Sequence, residues 1–265
     1  GFAADWSLTH GAADYKVSGT DPSGTFNLTS TAASGTFDGD ISSDGLTYGG
    51  GNTDLNVAMS GSSIPFPQLT FSIAESEGRL AMPVSAGEEA GDFGLLLKIV
   101  DLEMSDAIWG MFDPAQQLPR DPATLVVDIA GKAKWFIDIF DPEVQENMTP
   151  GEMPGEVETL DINALQLTVA GAELTGEGAF EFDNSGSGAF APAPSPFGTL
   201  SLELTGGNGL LDTLVVMGLI PQEQAMGARM MLGLFARPGA GEDSLVSTIE
   251  VGKDGSVSAN GQRIR

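Results

Sequence analysis

The sequence predicts a mainly β protein: a curved antiparallel meander, half-barrel or groove-like, with two or three short helices towards its C-terminal part. Three observations carry this. Apolar and polar residues alternate with period two over short runs along most of the chain. The runs are bounded by Gly, Asp, Asn and Ser, the residues that close hairpins. The 36 glycines suit many tight turns better than long helices.

In chain order, Trp6, Leu8 and His10 share one face of a first run, and Ala13, Tyr15 and Val17 follow after Gly11. Phe26 and Leu28 alternate with Asn27 and Thr29. Leu69, Phe71 and Ile73 lead into "ESEG", which reads as a turn, and Leu80, Met82 and Val84 read as the returning strand. Asp113-Pro114 and Asp121-Pro122 disfavour helix at each aspartate. They therefore end a short helix over 106–112, behind Ser105 as cap, and begin the strand "ATLVVDIAG". Arg120, between two aspartates, is expected to make a local ion pair or turn contact.

In the second half, Leu174, Phe180 and Phe182 oppose Thr175, Glu177 and Glu181. Gly176 and Gly178 lie on the apolar side, where a close neighbour is expected. Leu200, Leu202 and Leu204 alternate with Ser201, Glu203 and Thr205. Asn208 is placed to cap "GLLDTLVVMGL", and Pro221 suits the first position of a further helix that Pro238 stops. "SLVSTIEVGKDGSVSANGQRIR" reads as a closing hairpin. The chain is read as one β-rich domain over 1–265, with loop excursions at 141–158 and 184–198.

Against 37 acidic residues stand 11 basic ones, a net charge of −26. Such a surface repels nucleic acid and anionic headgroups. There is no cysteine, which removes thiol nucleophiles, disulfides and cysteine metal sites. No apolar run is long enough for a transmembrane helix. The only histidine, His10, lies on the apolar parity of its strand, and no Gly-x-Ser-x-Gly elbow accompanies it. "FDGDISSDGLTYGG" fails as a calcium loop: with Asp38 first, Ser43 stands where Gly is required and Gly49 where Glu is required. Gly49-Gly50-Gly51 has no following lysine to make a phosphate loop. No catalytic, cofactor-binding or metal residue is nominated, and no cofactor is expected.

One cluster invites a binding role. Leu210, Leu211, Leu214 and Met217 form a helical stripe; Met226, Met230, Met231 and Leu234 form another. Methionine adapts to irregular apolar surfaces. The stripes read either as core packed against the sheet or as the lining of a lipophilic groove.

"LEMSDAIWGMFDPAQQLPRDPATLVVDIAG", with "GLIPQEQAMGARMMLGLFARPG" and the ending "DSLVSTIEVGKDGSVSANGQ", resembles a family of exported bacterial proteins, domain-of-unknown-function family 2125. The likeness runs from about Leu95 to the C-terminus. It implies an export signal upstream, a longer precursor and a periplasmic location, and it transfers no catalytic residue. "LDINALQLTVAGAELTGEGAFEFD" looks, more distantly, like AsmA-like envelope proteins with curved, lipid-lining sheets. The combined expectation is a non-enzymatic periplasmic envelope protein. Its partner would be a lipophilic molecule, or an envelope protein, on an apolar concave face. A ligand-free scaffolding module and a carboxylate-based hydrolase are the alternatives.

Overall fold

The structure is a computed structural model. It describes residues 3–22, 24–43, 45–138, 140–141, 154–188, 190 and 193–265. One antiparallel sheet of fifteen strands organises them. β1 (Ala4–His10) and β2 (Ala13–Asp21) lie end to end and form the first arm of a long hairpin; β3 (Gly24–Ala32) and β4 (Ser34–Ile41) form its second arm. A single register runs through both arms, from Ala4 opposite Ile41 to Asp21 opposite Gly24. β5 (Leu46–Gly61) is long enough to pair with β4 along its first half and β3 along its second.

β6 (Leu69–Met82), β7 (Gly91–Met104), β8 (Ala123–Trp135), β9 (Gly155–Val169), β10 (Ala172–Asp183) and β11 (Ser195–Thr205) each pair with the strand before. β13 (Ser244–Val251), β14 (Val257–Ala259) and β15 (Gln262–Arg263) close the far edge; β12 (Arg237–Pro238) adds a short pairing to β13. Among the described residues three helices interrupt the meander: α1 (Asp106–Phe112), α2 (Gly207–Val216) and α3 (Gln222–Phe235).

The segment "ESEG" is not a turn. β6 runs straight through it, with Glu75 and Glu77 opposite Thr53 and Gly51. What resembles a hairpin is a change of parity within one strand: Phe71 and Ile73 are odd-numbered, Leu80 and Met82 even. The same change occurs in four neighbours. Trp6 and Leu8 give way to Tyr15 and Val17, Leu28 to Phe37, Tyr48 to Val57, and Ile99 to Leu102. The breaks lie in one row across the sheet, through Gly11-Ala12, Ala33-Ser34, Thr53-Asp54, Ala74-Glu75 and Val100-Asp101. Asp54 and Asp101 hold positive φ angles of 49° and 54° there. At the end of this crease, two residues of β7 oppose one of β8. Ile99 pairs with Leu125 and Leu102 with Ala123. Leu125 and Ala123 are two apart and share a face, so Leu102 stays on the face of Ile99.

The predicted loop excursions are shorter than expected. Gly155–Glu158 already belong to β9, and Ser195–Gly198 pair with Asp183–Phe180 of β10. Pro196 pairs with Phe182 of β10 but lies before the β13 ladder, which begins at Gly198, so on the β13 side no partner needs its missing N–H. Residues 142–153, within the first excursion, and 189, 191 and 192, within the second, lie outside the described residues.

The helix starts also differ from the sequence reading. The Ser105 hydroxyl does not cap α1; it accepts a hydrogen bond from the Thr70 amide at 3.2 Å and ties the helix to β6. Asn208 lies inside α2, and the cap comes from Asp243 far along the chain. The Asp243 carboxylate accepts from the amides of Asn208 (3.3 Å) and Gly209 (2.9 Å) and from the Asn208 side chain (2.7 Å).

Candidate functional site

Directly opposed residues of an antiparallel ladder point to the same face. Following partners across the sheet therefore traces each face. Leu8 lies opposite Phe37, Phe37 opposite Gly50 and Gly50 opposite Gly78. Gly78 lies opposite Leu97, Leu97 opposite Val127, and Val127 opposite Leu165. Leu165 pairs with Gly176, Gly176 with Leu202 and Leu202 with Ser247. One apolar face thus crosses the whole meander. Parity shifts in β9, at Asn163-Ala164 and at Glu158, are absorbed by two bulges, so Leu165, Ile162, Leu160 and Val157 all remain on it.

The opposite face is polar. Arg79 reaches Asp38 at 2.9 Å, Lys98 reaches Glu75 at 2.7 Å and Lys132 reaches Asp92 at 2.7 Å. Gly49 lies between Asp38 and Arg79 in the same row, and a side chain there would meet the Arg79 Cγ at 3.2 Å. The first glycine of the Gly49–Gly51 run therefore makes room for this ion pair. With these groups partly or fully exposed, solvent screening keeps the contribution of each pair to stability small.

Among the described residues, no second layer covers most of the apolar face. Leu8 is 60% exposed, Tyr48 47%, Leu97 40% and Leu167 41%. Aromatic rings give partial cover near the first edge. Trp6 lies over Gly39, which has no Cβ to obstruct it, and His10 lies over Gly35. The His10 Nδ1 is 2.7 Å from the Gly11 carbonyl oxygen. The chain exposes 15600 Å² in all. A compact protein of 27.3 kDa exposes roughly 11,000 Å².

The helices α2 and α3 cover the face only at its far end. There they wall a groove of about 470 Å³ with Leu204 and Ala172 from the sheet as its floor. Leu210, Leu211, Leu214 and Met231, four of the eight residues singled out from the sequence, line it. Met217, half-buried, does not. Nor do Met226, Met230 and Leu234, which are exposed on the outer side of α3, the last two at 67% and 64%. Those three are not core residues. The inward stripe of α3 is Ala225, Ala228, Leu232 and Phe235, of which Ala225 is fully buried. Helical spacing alone could not choose between two apolar stripes on one helix. Arg229 binds the helices together by donating to Asn208 Oδ1 (3.1 Å) and to Asp212 (2.7 Å).

The corner at 113–122 is a structural device. Asp113 is fully buried, and its carboxylate accepts the amides of Gln117 (2.9 Å) and Leu118 (3.0 Å). Those bonds, the Gln117 bond foremost and with Arg120 adding attraction, hold its carboxyl below the ordinary carboxylate range. Arg120 pairs with Asp106 rather than with either flanking aspartate, and its guanidinium lies 5.5 Å from the Trp109 ring centroid. Among the described residues, no His/Cys/Asp/Glu group that could hold a metal ion occurs, and no helix is long and apolar enough to cross a membrane.

A bacterial family described as an uncharacterized protein conserved in bacteria, DUF2125, matches residues 7–264. The chain belongs to this family. The match takes in the N-terminal strands as well as the region from Leu95 onwards that resembled it in sequence. No curated protein and no solved structure matches the chain.

Proposed function

We propose that this member of DUF2125 is a non-enzymatic lipid-binding protein of the bacterial periplasm, holding acyl chains along the apolar face of its sheet. The observation that supports this is the open, registered apolar face: side chains from β1 to β13 share one side of a single-layer sheet while their backs carry ion pairs. Water against such a face is costly, and each methylene laid on it recovers about 0.8 kcal/mol. An acyl chain fits the surface better than a polar ligand does. The face offers hydrocarbon, and ten successive strand positions extend it over roughly 45 Å. The groove under α2 and α3 closes one end.

The test is extraction of the protein, purified from its native host, followed by lipid mass spectrometry and cell fractionation. Phospholipid or another acyl lipid at near-stoichiometric amounts in a periplasmic fraction is the expected result. Recovery of no lipid from a folded protein would sink this reading and favour a ligand-free scaffold.

A further inference from the structure

α3 lacks the polar outer side of an ordinary surface helix. Met226, Met230 and Leu234 follow one another four residues apart on that side, and all three are exposed. Gly227 and Gly233 beside them along the helix add no side chain, and nothing lies within 4 Å of where a Cβ would stand. The charges of α3 are Glu223, in its first turn, and Arg229, which is turned back onto Asn208 and Asp212 of α2. At the corner between the two helices Val216 and Leu219 are exposed, Val216 at 73%. A helix apolar on both sides belongs where its outer side is also out of water. The charge around it is equally distinct. Of the 37 acidic residues of the chain, one, Glu223, lies within 213–241, together with two basic residues, Arg229 and Arg237. The bordering Asp212 and Asp243 are taken up by Arg229 and by the first amides of α2. The exposed hydrocarbon therefore coincides with a nearly neutral corner of a chain whose net charge is −26.

We propose that the occupant of this corner is the surface of a phospholipid bilayer. The hairpin of α2 and α3 lies on it, with Val216, Leu219, Met226, Met230 and Leu234 sunk into the headgroup boundary. Flexible methionine side chains suit a fluid surface. The near-neutral corner meets the bilayer without the repulsion that the rest of the acidic surface meets from anionic headgroups, whereas a second copy of the chain would bring up the same −26 body. Met231 joins the docking side to the groove, since it lines the groove and is itself 56% exposed. Docking thus sets the rim of the groove against the acyl region, and an acyl chain passes from bilayer to groove without crossing water. This last role rests on the lipid-binding reading; the docking itself does not.

The test is flotation of the whole chain with phosphatidylcholine vesicles. Wild type should rise with the vesicles, and less of it as phosphatidylglycerol replaces phosphatidylcholine at low salt. Met230→Glu with Leu234→Glu should weaken vesicle binding roughly ten-fold or more, while Met230→Leu binds as wild type does. The absence of cysteine permits a second measurement that does not depend on the glutamate variant folding. A polarity-sensitive dye on Met230→Cys should shift to the blue when vesicles are added, and the same dye on Glu177→Cys, on the polar face beside Ser201, should not. A wild-type chain that stays with the dense fraction, as when a second copy or another protein is the occupant, overturns the proposal. So does a folded glutamate variant that floats equally well, or a dye that shifts alike at both positions. Titration with a fluorescent fatty acid free of vesicles separates the two readings. The glutamate variant should keep wild-type affinity there, whereas a wild type that floats but binds no fatty acid upholds docking and removes the lipid-binding reading.

Discussion

Asp113 shows how a residue that resembles chemistry can be architecture. A buried carboxylate invites a catalytic reading, yet both its oxygens are used by amides of the next turn. Asp113→Asn replaces one acceptor with an NH₂ group aimed at an N–H donor, so the corner loses a bond and gains a clash. Thermal unfolding should fall by roughly 5 °C, with the fold otherwise retained. The pH dependence has a definite sign. The folded carboxyl is held below its ordinary value. Its stabilising contribution is therefore fully present above the unfolded pKa of about 3.9 and is lost as pH falls through the folded value. A melting series from pH 6 to pH 2 should show this acid loss in wild type, with a shallower decline in Asp113→Asn. Identical slopes for the two proteins would show that Asp113 is not the group responsible.

The crease is the element that sequence reading misses and the structure depends on. Its αL residues Asp54 and Asp101 tolerate positive φ better than most side chains, since Asp can satisfy itself locally. Asp101→Val puts a β-branched residue into that conformation and should cost about 1–3 kcal/mol in urea unfolding, whereas Asp101→Gly should lie within about 1 kcal/mol of wild type. A Val variant as stable as the Gly variant would mean that the crease is not held by this backbone. Removing the distant cap with Asp243→Ala should cost about 1 kcal/mol and loosen α2, read as faster amide exchange at Asn208 and Gly209. Period-two alternation made most strands legible, and Pro221, Pro238 and the heptad-like stripes made the helices legible. Register was not legible. A parity change inside β6 has the same signature as a hairpin turn, and the bulges of β9 conceal that its leucines share one face. The groove was half legible for the same reason. Leu210, Leu211 and Leu214 follow from spacing, but Leu204 and Ala172 reach it only through strand pairing, and Asp243 acts from another loop.

At the scale of the molecule, the governing fact is a sheet one layer thick with unlike faces. Its surface exceeds that of a compact protein of this mass by about 40%, and Leu8, Tyr48, Leu97 and Leu167 are among the large apolar residues it leaves exposed. Two glycines allow each face to be filled separately. Gly78 lies on the apolar face, opposite Leu97, with nothing within 4 Å of where a Cβ would stand. Gly94 lies on the polar face, opposite Ala81 and Ala130, where a Cβ would meet only the Ile129 carbonyl oxygen at 3.4 Å. The most direct measurement is titration of the delipidated protein with a fluorescent fatty acid, comparing wild type, Gly78→Phe and Gly94→Phe. Saturable binding by wild type and Gly94→Phe, with affinity reduced ten-fold or more in Gly78→Phe, is the predicted result. No binding by folded wild type, or equal affinity in all three proteins, would contradict the account.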